Sequence, residues 1–159
     1  MHHLFRRVLP FSFALVLARS AIFTEQSSGA AQASSDPFEV LRGATGSALM
    51  VPPRALAVIP ERHTGRLIRV VDQLVRIEPQ FDDLARGLGL SSLVAIQLRT
   101  REANIPIFVA KTDATISTVL QLRLGSPVEA SGLLIERGGR FLMLASEVRA
   151  ADRSASRDR

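Results

Sequence analysis

The groupings that would make this chain an enzyme are a nucleophile with its base, a pair of working carboxylates, or a metal ligand set, and the sequence assembles none of them. His2 and His3 stand at the extreme N-terminus, so His63 is the single imidazole available further along. A catalytic or metal-bound histidine needs a second group to orient it or share the ion, and no such cluster accompanies His63. There is no cysteine, which excludes disulfides, thiol chemistry, cysteine-based zinc sites and a lipid anchor on an N-terminal cysteine. Glu78, Asp82 and Asp83 are oxygen donors suited to a hard cation, but the Asp-x-Asp-x-Asp-Gly spacing of a calcium loop is missing. Gly43-Ala44-Thr45-Gly46-Ser47 lacks the lysine of a phosphate-binding loop, and Gly87-Leu88-Gly89 lacks a third glycine. The expectation is a chain with no catalytic residue, no metal and no cofactor.

Binding chemistry is better represented. Gln97, Arg99 and Arg101 recur at every second position, and Phe108 follows on the next apolar stretch. Arg137 and Arg140 flank Gly138-Gly139. Guanidinium groups beside an aromatic ring suit an acidic partner, such as a phosphate, a carboxylate-rich peptide or an anionic headgroup. With no tyrosine or tryptophan in 159 residues, a platform of several rings for stacking bases is absent.

Alternation sets which side chains share a face. In 93–100, Val94, Ile96, Leu98 and Thr100 fall on one side; in 105–111, Ile105, Ile107 and Val109 do. The short polar link Arg101–Asn104 joins them as a hairpin, pairing Leu98 with Ile107 and Ile96 with Val109. One face is then wholly apolar, and Gln97, Arg99, Arg101 and Phe108 leave by the other. Residues 67–77 are β-branched and long enough for one strongly bent strand. Thr112-Asp113 is a helix N-cap signal, Ile116, Val119, Leu120 and either Arg123 or Leu124 follow at helical spacing, and Gly125 closes the helix. Residues 128–135 and 141–148 are two further strands, joined across the Gly-Gly turn. The inward set is Ile68, Val70, Ile96, Leu98, Ile107, Val109, Val128, Leu134, Phe141 and Met143.

A spaced pattern also repeats sixty positions apart: Gly65-x-x-Ile68-x-Val70-x-Asp72-x-Leu74 and Gly125-x-x-Val128-x-Ala130-x-Gly132-x-Leu134. The order strand, strand, strand, helix, strand, strand, with this shared pattern in the first and fourth strands, resembles the OB fold. The resemblance spans Gly65 to Val148 and names no particular family. It implies a mainly β chain, a five-stranded barrel with one short helix between strands three and four. Gly132 matches the mid-strand glycine at which such a strand coils, whereas Asp72 stands where the first strand would often carry glycine. It also implies a ligand face on strands two and three, here Gln97, Arg99, Arg101 and Phe108, with Arg137 and Arg140 beside it.

The ends have a different character. Arg6-Arg7, the apolar run Val8–Ala18, and the small residues up to Ala31-Gln32-Ala33 form the pattern of a cleaved export signal over residues 1–33. The run is too short to span a bilayer, so no stable transmembrane span is expected. An uncleaved signal that anchors the chain in the membrane, or an organelle presequence, is the rival reading. Residues 34–62, interrupted by glycine and proline, read as an extended arm or linker; 63–149 hold the barrel and 150–159 a polar tail. The formal charge of +5 is concentrated at the ends. Arg6, Arg7 and Arg19 against Glu25 contribute two positive charges, and four arginines against two aspartates from Arg149 onward contribute two more. The barrel retains about one, too little for a strong phosphate-tracking surface. The sequence therefore points to an exported binding module for a protein or anionic ligand. A single-stranded nucleic-acid binder and a structural or assembly module are the alternatives.

Overall fold

The computed structural model describes residues 36–151; the expected signal segment, and the tail beyond 151, lie outside them. Five strands carry the architecture: β2 (Leu67–Glu78), β3 (Ala95–Thr100), β4 (Ile107–Ala110), β5 (Pro127–Arg137) and β6 (Arg140–Ala150). They pair in the order β2-β3-β4-β6-β5, and β5 returns to pair with β2, so the sheet closes. All pairs are antiparallel except β4 with β6, which is parallel. Helix α4 (Asp113–Gln121) connects β4 to β5, capped by Thr112, whose side chain accepts from the Thr115 amide. A closed five-stranded Greek key with its helix between the third and fourth barrel strands is an OB fold.

The β3–β4 register is the one alternation dictates, with Leu98 opposite Ile107 and Ile96 opposite Val109. The sequence repeat has a structural counterpart. Its two copies lie antiparallel against each other, Ile68 with Gly132, Val70 with Ala130, and Asp72 with Val128. Gly65 donates its amide to the Leu134 carbonyl, and Gly125 donates to Leu74, each at 2.7 Å. The two halves of the pattern thus close the barrel on each other about a local two-fold axis. At Gly132 the β5–β6 ladder slips by a bulge. A Cβ there would stand 2.0 Å from the Leu144 carbonyl oxygen, a distance no side chain can accept, so the close strand crossing requires glycine. The β5–β6 turn is Gly138-Gly139, both with positive φ, as a two-residue hairpin turn demands.

The ten residues expected inside form one cluster. Eight are buried, and Ile96 and Phe141 pack against them half-buried. Val119 and Leu122, at and just after the end of α4, join that cluster, which a helix can reach only by covering an open end of the barrel. Leu120 and Leu124 stay exposed.

Residues 36–63 are not extended throughout. They form α1 (Glu39–Gly43), the two-residue strand β1 (Leu49–Met50), α2 (Pro53–Val58) and a 3-10 turn (Pro60–His63). β1 adds in parallel to β2, Leu49 beside Ile68. Val51 and Leu56 are inserted in the interior cluster, so this segment is part of the core.

A second apolar cluster lies outside the barrel. Ala95, Phe108, Leu142 and Leu144 point outward from β3, β4 and β6 and are covered by Phe38, Phe81, Ala85 and Leu90. The last three come from the β2–β3 connection, which contains α3 (Asp83–Gly87) capped by Asp82.

Candidate ligand-binding site

Gln97, Arg99 and Phe108 leave the barrel wall as alternation requires, but the six residues expected to bind a ligand do not form one continuous surface. Phe108 is only 1% exposed and Gln97 4%. Phe108 meets the Phe81 ring, centroids 5.4 Å apart and planes tilted by 39°. The Gln97 amide donates to Glu78. This corrects the expected exposed face on β3 and β4. Its apolar outward residues required a cover, and the β2–β3 connection supplies one. Arg101 is exposed and donates to the Gln73 side chain at 3.0 Å. Arg137 is exposed on the hairpin.

Arg99 and Arg140 are brought together. Arg99 leaves β3, Arg140 opens β6, and both line a groove of about 280 Å³. The groove's other walls are Leu56, Ala57 and Pro60 from and just after α2, Ala103 to Pro106 from the β3–β4 turn, and Phe141. An ion pair between Arg54 and Glu102, at 3.4 Å, links α2 to that turn. Sequence reasoning supplied the two cations and missed the apolar walls, because they come from a segment that reads as a linker. The unbroken apolar run ALAVI before Pro60 could have signalled a packed turn.

Each guanidinium is tied to a carboxylate. Arg99 Nε donates to Glu78 at 2.8 Å, and Glu78 also pairs with Arg76. Arg140 donates to Asp82. The Asp82 carboxyl is held below its ordinary value, chiefly by accepting the Ala85 amide at 2.8 Å, and also by Arg140 and Arg99. Asp82 is therefore a helix cap and an arginine anchor. Glu78 serves its arginines and Gln97, and Asp83 pairs with Arg86. Among the described residues no group of three or more candidate ligands could hold a metal ion. His63 is half-buried in the 3-10 turn, and its Nδ1 has no hydrogen-bond partner there. Among the described residues no helix is long and apolar enough to cross a membrane.

No family model and no curated protein matches the chain. Solved structures give remote likenesses. An asparaginyl-tRNA synthetase of Entamoeba histolytica aligns at a TM-score of 0.48 and 12% identity, over 67% of this chain and 24% of the synthetase. An OBody bound to hen egg-white lysozyme aligns at 0.43 and 9%, over 58% and 84%. A replication protein A heterotrimer bound to ssDNA aligns at 0.39 and 10%, over 56% and 60%. The OB topology here is read from strand order and register.

Proposed function

We propose that this chain is a non-catalytic OB binding module, working outside the cytoplasm, whose ligand enters the Arg99–Arg140 groove. The observation that carries this reading is the convergence of two arginines from different strands on one recess. Such a recess has a mixed lining, with fixed polar groups set beside apolar side chains, as ligand sites have. The usual OB ligand face is occupied by the molecule's own second cluster, which argues for the groove in its place. Export is supported by Arg6-Arg7, the apolar run and Ala31-Gln32-Ala33.

Single-stranded nucleic acid is the ligand class that the OB fold makes the natural competitor. Its usual stacking ring would be Phe108, which lies beneath Phe81. Retention of a single-stranded oligonucleotide and of envelope extract, by wild type, Arg99→Glu and Arg140→Glu, separates the two. The groove reading expects loss of envelope-ligand retention in both variants and weak oligonucleotide retention throughout. Unchanged envelope retention in both variants would remove the groove as the site. Mass spectrometry of the mature N-terminus tests export: a start near Ser34 is expected, and an intact Met1 in a cytoplasmic fraction would contradict it.

A further inference from the structure

We infer that the groove is built for the C-terminus of a peptide: a free carboxylate between Arg99 and Arg140, with an aliphatic last side chain on the apolar floor. This inference rests on reading the groove as the ligand site and adds the class of ligand. Three features lead to it.

The first is donor supply. Arg99 uses Nε for Glu78, and Arg140 uses one terminal nitrogen for Asp82. Among the described residues their remaining guanidinium donors have no hydrogen-bond partner. Two planar guanidinium groups, each tied to a carboxylate through one nitrogen, keep donors for bidentate contact with a planar anion.

The second is charge balance. Arg76, Arg99 and Arg140 face Glu78 and Asp82 through these contacts, three positive charges against two negative. One positive charge is left. A single carboxylate neutralises it, whereas a phosphate dianion would overshoot it and meet Glu78 and Asp82. A polyanionic strand would meet the same two acids at every approach, so the balance selects a monoanion.

The third feature points to a peptide rather than to a free organic acid. The β3–β4 turn crosses the groove wall at Asn104 and Ile105, with Asn104 in the left-handed region at φ 53°. The backbone groups of these two residues make no backbone hydrogen bond among the described residues. An unpaired stretch of main chain beside an anion site offers partners to an extended ligand backbone, as terminal-carboxylate and strand-addition recognition both use. Ala57, Pro60, Pro106 and Phe141, none of them fully buried, supply the apolar floor. A volume of about 280 Å³ holds a terminal residue and part of the one before it.

The test uses the full chain and a synthetic tetrapeptide, three alanines followed by leucine, as free acid and as C-terminal amide, followed by calorimetry. The acid is expected to bind about tenfold or more tightly than the amide. Arg99→Gln and Arg140→Gln should each weaken acid binding about tenfold and leave the amide unchanged, with thermal unfolding checking that each variant folds. Arg123→Gln, on the exposed link after α4, should behave as wild type. Equal binding of acid and amide, or binding of neither, overturns the inference. So does stronger competition by inorganic phosphate than by acetate, which would assign the site to a phosphoryl ligand. These outcomes separate from failure of the groove reading itself. If the arginine variants abolish envelope-ligand retention while acid and amide bind alike, the site stands and the ligand class falls.

Discussion

Asp72 occupies the place in β2 that Gly132 occupies in β5, and the two solve different problems at equivalent points of the barrel. Gly132 lets the strands cross where a Cβ would meet the Leu144 carbonyl. Asp72 is 7% exposed as a residue, and its carboxylate accepts from the amides of Gln73 at 2.7 Å, Glu102 at 2.8 Å and Ala103 at 2.9 Å. It thereby ties the β3–β4 turn, which forms one wall of the groove, to the first barrel strand. Asp72→Ala would leave three main-chain donors without their acceptor, two of them in a turn packed on the core. A loss of about 2–4 kcal/mol is expected, read as a shift in urea midpoint at unchanged slope. Asp72→Asn, which keeps one acceptor oxygen, should lose less. A change within about 0.5 kcal/mol for the alanine variant would mean that the turn holds without the carboxylate. The sequence marked Asp72 as a departure from the strand pattern but could not say what the carboxylate does, because two of its partners lie thirty positions further on.

At the scale of elements, the β3–β4 hairpin was readable because one face of each strand is unbroken aliphatic and a slip of one residue would turn Ile96 and Ile107 outward. The α4 cap at Thr112 and the Gly-Gly hairpin were readable for the same kind of reason, since each is a local signal with a local cause. α3 was not. Asp82-Asp83 suggests a solvated loop, yet Asp82-x-x-Ala85 is the spacing of an N-cap, and Phe81, Ala85 and Leu90 are the residues that bury Phe108. The link from this cover to the hairpin is the Asp82–Arg140 pair, and it carries a pH signature. Asp82 titrates below its ordinary value of 3.8 because its ionised form caps α3 and meets Arg140. Its contribution to holding the cover is complete above 3.8 and is lost as pH falls through the lower folded value. Carbon-detected NMR of the Asp82 carboxyl should find a midpoint under 3.8 in wild type, moved upward by Arg140→Gln. A wild-type midpoint at or above 3.8 would show that neither cap nor arginine acts on it.

For the whole molecule, the closed barrel was foreseeable and its limits were not. The repeat at Gly65 and Gly125 predicts two alike strands, and these are the pair that closes the sheet. The site half-emerged: Arg99 and Arg140 meet, while Phe108 and Gln97 are hidden, because outward apolar side chains in a small barrel are as readily covered by the chain itself as by a ligand. What lay beyond sequence reading was that residues 36–63 belong to the fold. Their glycines and prolines mimic a linker, but Val51 is 1% and Leu56 0% exposed, both within the interior cluster. A barrel this short has open ends, and its interior stays dry only if something apolar closes them; Val119 of α4 and Leu122 just after it contribute. Leu56 is also the point where that closure and the groove share a wall. Leu56→Ala should therefore act as a core truncation and destabilise the domain by about 2–5 kcal/mol, with a single cooperative transition in urea. An appended linker would behave otherwise, with a loss under about 0.5 kcal/mol or a separate early transition for the segment alone. Either result would set the domain's beginning at the barrel strands, and would leave the groove with a movable wall.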